Sequence, residues 1–77
     1  MIRLRITEVN FTTKENWLFR LVDDEKNEYY IMNQLFYEAQ NLKSPITKRE
    51  LDQYDKGYII KALIKQFDNK NVVIEIL

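Results

Sequence analysis

The hydrophobic period changes twice along the chain. Ile2, Leu4 and Ile6 alternate with Arg3, Arg5 and Thr7, and a period of two predicts a half-buried strand with its aliphatic side inward. Val9 falls out of phase with Ile6, which marks a bulge or the strand's end. The segment Asn10, Phe11, Thr12, Thr13, Lys14, Glu15, Asn16 is polar and reads as a loop. Trp17, Phe19 and Leu21 then alternate with Leu18, Arg20 and Val22, giving a second strand. Residues 23–27 form a turn by composition, and 28–32, dense in β-formers, form a third strand that makes a hairpin with the second.

Helical spacing follows, over about residues 33–56. Leu35, Phe36, Ala39 and Leu42 fall on one helical face. Ser44-Pro45 interrupts it, because a residue before proline avoids helical angles. Thr47 to Glu50 has the form of a capping box, predicting a second short helix to about Asp55, with Gly57 at its stop. The alternation then returns. Tyr58, Ile60, Ala62 and Ile64 predict a fourth strand, residues 68–71 a turn, and Val72, Ile74 and Ile76 the inward side of a fifth.

The order strand-strand-strand-helix-strand-strand is used by few small folds. KGYIIKALIKQFDNKNVVIEIL resembles the last hairpin of small OB-fold domains, and WLFRLVDDEKNEYYI resembles their second and third strands. The resemblance lies in the pattern and covers most of the chain. It implies one domain over residues 1–77, mostly β with a helical insert: a five-stranded Greek-key barrel. An SH3-like barrel is the alternative, disfavoured because its helical insertion is a single short turn. A β-grasp fold would want a longer central helix.

The OB resemblance also implies neighbours. Strand one lies between strands two and four, so Arg3 and Arg5 share an outer face with Arg20, Lys61 and Lys65. Glu28 and Glu75 point outward on strands three and five. Tyr29 and Ile31, rather than Tyr30 and Met32, are taken as inward. OB domains bind ligands on the outer face of strands two and three, flanked by the first and last loops. Here those elements add Phe11, Lys14, Tyr30, Phe67 and Lys70. Aromatic rings stack bases and lysines attract phosphates, so the expected ligand is single-stranded DNA or RNA. The same phase turns Leu18, Val22, Ile59, Leu63 and Val73 outward, which favours a protein partner or a homodimer as the competing reading.

Composition sharpens this by exclusion. Lys+Arg and Asp+Glu balance at 12 each, which removes the argument from a strongly basic chain. The basic row then reads first as a solvated sheet face, and second as a binding surface. With no His, no Cys and one Gly there is no imidazole base, no thiolate, no N/S metal site and no glycine-rich phosphate loop. The acidic turn of Asp23, Asp24 and Glu25 lacks Ca²⁺-loop spacing and reads as solvated. The expectation is therefore a binding protein with no catalytic residues, no metal and no cofactor. The alternating start lacks a signal-peptide apolar region, and IIKALI is too short to span a bilayer. A cytoplasmic protein with no membrane association is expected. The richness in Lys, Asn, Ile and Tyr resembles coding by an AT-rich bacterium, its phages or mobile elements.

Overall fold

The computed structural model describes residues 1–12 and 14–77; Thr13, in the expected first loop, lies outside them. The elements run β1 (Ile2–Val9), β2 (Trp17–Val22), β3 (Glu28–Met32), α1 (Gln34–Ala39), a 3₁₀ turn (Lys48–Gln53), β4 (Ile59–Phe67) and β5 (Lys70–Ile76). The strands form one closed sheet in the order β1-β2-β3-β5-β4, with β1 also paired to β4. Every pairing is antiparallel except β3 with β5, which closes the sheet in parallel. The domain is thus mostly β, barrel-like, with one short helix. No described helix is long and apolar enough to cross a membrane.

Turn chemistry fixes the register of both hairpins. Asp68 and Asn69 join β4 to β5 with φ of 45° and 69°. A two-residue loop with both centres left-handed matches the twist of the flanking strands, and Asp and Asn tolerate that region better than most residues. In the β2–β3 turn one Asp23 carboxylate oxygen accepts from the Glu25 and Asn27 backbone N–H groups, both at 2.9 Å. The other accepts from the Asn27 amide at 3.0 Å and the Tyr29 hydroxyl at 2.8 Å. The Asn27 amide leads in holding the Asp23 carboxyl below its ordinary range. The acidic turn is an organised knot around one carboxylate.

The helical segment differs from its expected form. Leu35 is 73% exposed, whereas Tyr37, off the expected face, is fully buried. The reason is hydrogen bonding. The Tyr37 hydroxyl accepts from the Met32 N–H at 3.2 Å and donates to the Val73 carbonyl at 2.6 Å, which ties α1 to β3 and β5. Asn33 caps α1, its side chain accepting from the Phe36 N–H at 3.0 Å. No capping box forms at Thr47: its hydroxyl donates instead to the Glu50 carboxylate at 2.8 Å, and the turn that follows is 3₁₀. Gly57, with φ of 89°, serves strand entry rather than a helix stop. Its N–H donates to the Ile6 carbonyl at 2.7 Å, and the Tyr58 carbonyl accepts from the Ile6 N–H at 2.9 Å.

Three register shifts decide which side chains face in. They fall between Ile6 and Glu8 on β1, between Trp17 and Phe19 on β2, and opposite Leu63/Ile64 on β5. Each inserts a residue and reverses the phase beyond it. The inner core holds Leu4, Ile6, Phe19, Leu21, Tyr29, Ile31, Ile60, Ala62 and Val73. Tyr29 and Ile31 therefore face in. Val73 corrects the expectation: the β5 shift turns it inward and buries it completely. Leu18 is likewise not free, since it packs against the inner core. Trp17 is buried as expected but not with Phe19. It joins Met32, Tyr37 and Val72 in a second cluster, flanked by Tyr30, Phe36, Leu42 and Phe67.

Candidate functional site

The second cluster underlies the outer face of β2, β3 and β5. Pairings place Glu8, Arg20, Tyr30, Val72 and Lys65 in one row across all five strands. Around it the aromatic rings are packed edge to face or tilted. Trp17 and Tyr30 lie 5.9 Å apart at 58°, and Phe36 and Phe67 lie 5.3 Å apart at 88°. Cations cover these rings. The Arg20 guanidinium sits 4.9 Å from the Trp17 ring and 5.9 Å from Tyr30. Lys70 Nζ is 5.3 Å from the opposite strand's Tyr30 ring, and Lys65 Nζ is 5.3 Å from Phe67. Cation–π contacts of this kind hold flexible side chains over apolar surface.

Arg20 is heavily engaged. It donates to the Glu8 carboxylate at 2.9 Å, and its Nε lies 3.9 Å from that of Glu28. That Nε is buried without a hydrogen-bond partner. Glu28 also accepts from the Tyr30 hydroxyl at 3.0 Å, while burial and then Glu28 raise the Tyr30 phenol above its ordinary range. Lys65 and Lys70 are exposed and outside these ion pairs. Next to them opens a cleft of about 190 Å³ lined by Asn16, Met32, Phe36, Phe67, Asp68, Lys70 and Val72. The end of the first loop and the β4–β5 turn thus meet at one groove. Phe36 contributes to its wall, and helical phase alone gave no sign of that.

The ten expected binding residues divide among three places. Arg20, Tyr30, Lys65, Phe67 and Lys70 come together on this face. Phe11 and Lys14 stand out on the first loop, Phe11 being 67% exposed, and neither lines the cleft. Arg3, Arg5 and Lys61 lie on the outer face of β1 and β4 instead. The expected single row of five cations is not what the register gives. Arg5 pairs with Val22 rather than with Arg20, and the β1 shift after Ile6 then sets Glu8 opposite Arg20 in place of Thr7. The β1–β4 pairing runs only from Ile2–Ala62 to Arg5–Ile59, so Lys65 extends past it.

On that other face Arg3 stands directly opposite Lys61, and Arg5 opposite both Ile59 and Val22. Ile59 and Leu63 are 46% and 37% exposed, as the phase led one to expect. A protein-family model, a curated protein or a solved structure matching this chain is not found.

Proposed function

We propose that this chain is a small non-catalytic OB-like module that binds single-stranded nucleic acid over the β2–β3–β5 face. The observation that carries the reading is the cleft at Phe67 and Lys70, flanked by Tyr30, where aromatic rings converge with two lysines that lie outside the ion pairs among the described residues. Bases would stack against Tyr30 and Phe67 while Lys65 and Lys70 meet phosphates. Phe11 and Lys14 would close over the strand from the first loop. Strand order supports the OB assignment, because β1 between β2 and β4 and a β3–β5 closure are what that fold requires.

The magnitude of the salt effect follows from the count of free lysines. Two lysine–phosphate contacts predict roughly a sevenfold loss of affinity between about 50 and 200 mM salt, far below the effect for a basic DNA-binding domain. Fluorescence anisotropy with a labelled single-stranded oligonucleotide measures it directly. Absence of binding at about 100 μM protein in about 50 mM salt would end the proposal.

A second reading has its own observation. Tyr58, Ile59 and Leu63 are exposed beside Arg3 and Lys61, and apolar side chains grouped at a surface favour a protein-interaction module, an inhibitor or adaptor. Retention of oligonucleotide binding after Ile59 and Leu63 are both changed to Ser separates the two readings.

A further inference from the structure

The cleft beside the β4–β5 turn holds two polar groups that contacts to a phosphate backbone do not use. Its lining is largely apolar: Met32 and Val72 are buried in the outer cluster, and Phe36 and Phe67 meet edge to face. Asn16 and Asp68 line the same cleft from the two loops that meet there. Each is placed by its backbone. The Asn16 carbonyl accepts from the Asn33 N–H at 2.8 Å, and Asp68 sits in the two-residue turn with φ of 45°. Both residues are exposed, and neither side chain makes a hydrogen bond or an ion pair among the described residues. A carboxylate repels a phosphate strand, so Asp68 opposes binding there unless donors of the strand meet it.

A carboxylate accepts on both oxygens and donates on neither. Among the standard bases, guanine alone sets two donors side by side on its Watson–Crick edge, the N1–H and the N2 amine. Adenine and cytosine each place an acceptor next to their amine, and thymine and uracil flank one donor with two acceptors. Each of these sets a lone pair against the second carboxylate oxygen. The guanine O6, next to N1 on the same edge, suits a donor such as the Asn16 amide. Size agrees: the cleft is about 190 Å³, below the roughly 300–1,000 Å³ of pockets for whole ligands. We propose that it takes one guanine of a bound strand. Asp68 accepts from the N1–H and the N2 amine, Asn16 donates to O6, and Lys70 meets a flanking phosphate. This contact rests on the single-strand reading and adds a base preference to it.

Fluorescence anisotropy tests it with labelled oligothymidine strands that carry guanine, adenine, cytosine or hypoxanthine at one central position. The guanine strand should bind roughly 5- to 150-fold tighter than the adenine or cytosine strand, the discrimination of one bidentate pair. Hypoxanthine lacks only the N2 amine of guanine, so its strand should bind severalfold more weakly than the guanine strand. Asp68→Asn exchanges one acceptor for a donor. It should erase both the preference for guanine and the hypoxanthine penalty. Asparagine tolerates the left-handed turn position, and an unchanged melting temperature verifies the fold. Ratios between strands are the readout, because loss of a negative charge raises affinity for all of them. Guanine, adenine and cytosine strands that bind alike overturn the guanine contact and leave strand binding intact. A guanine preference that survives Asp68→Asn overturns it as well. No binding of any strand at about 100 μM protein removes the single-strand reading, and the guanine contact with it.

Discussion

The two outer faces of the sheet are built on opposite terms. Over β2, β3 and β5 the outward side chains rest on a second buried cluster, and α1 is tied down upon it through Tyr37. Its arginine is neutralised twice and stacked on rings. On β1 and β4 Arg3 and Lys61 face each other, and Ile59 and Leu63 are exposed. One face therefore rests on a second buried cluster, and the other exposes cations and aliphatic side chains. Cation counts alone do not define a binding surface. What distinguishes Lys70 from Arg20 is whether a carboxylate is already within reach.

The largest expected effect tests whether the outer cluster is a true core. Trp17→Ala removes a buried ring shared by Met32, Tyr37 and Arg20, and truncation of a buried aromatic costs about 3–5 kcal/mol. Urea unfolding should show that loss; a change under about 1 kcal/mol would mean the cluster is only a surface patch. Tyr37→Phe is the subtler companion. It keeps the ring but strips the hydroxyl that serves Met32 and Val73, leaving buried backbone groups without partners. A loss of about 1–3 kcal/mol is expected.

The same residue gives a pH signature. Burial pushes the Tyr37 phenol up to about 12 from its ordinary 10.0, and Tyr29, buried and bonded to Asp23, to about 12 as well. The folded chain then holds protons that the unfolded chain has released. The stability from these two groups is complete below pH 10 and is lost as pH rises towards 12. Of the five tyrosines in the chain, Tyr29 and Tyr37 should form phenolate only as the pH approaches about 12, which an ultraviolet alkaline titration resolves.

Binding supplies the next effect. Tyr30→Ala should weaken oligonucleotide affinity by about 1–3 kcal/mol, roughly 5- to 150-fold, if a base stacks there. Lys14→Ala, on the loop outside the cleft, should weaken it severalfold less. Equal effects at the two positions would move the path of the strand off the Phe67 cleft.

Much of this architecture was legible in the alternation of side chains. Alternation placed Leu4, Ile6, Phe19, Leu21, Tyr29 and Ile31 inside, because those runs have no interruption between them. It misplaced Val73 and Leu18, because a bulge has no fixed residue type and merely resets the phase. Only Val9, visibly out of step with Ile6, announced one. The grouping of cations failed on the offset between strands, which alternation does not encode: Arg5 pairs with Val22 rather than Arg20, and the β1–β4 ladder ends at Arg5–Ile59, short of Lys65. Tyr37 was missed because its burial is decided by two backbone partners distant in sequence, which helical spacing does not encode.

The smallest expected effect probes the bare face alone. Arg3 and Lys61 are cross-strand partners of like sign, and opposite charges at such a position contribute roughly 0.2–1 kcal/mol. Lys61→Glu should therefore stabilise the chain by a few tenths of a kcal/mol, measured at about 1 μM so that association between copies does not contribute. The change of sign alone does not prove the pairing, since any added carboxylate could find a distant cation. A double-mutant cycle with Arg3→Gln isolates it: the gain should vanish when Arg3 is neutral and persist when Arg5 is neutral. Dependence on Arg5 instead would shift the β1–β4 register. It would also remove the like-charge contact that makes this face differ from the roofed one.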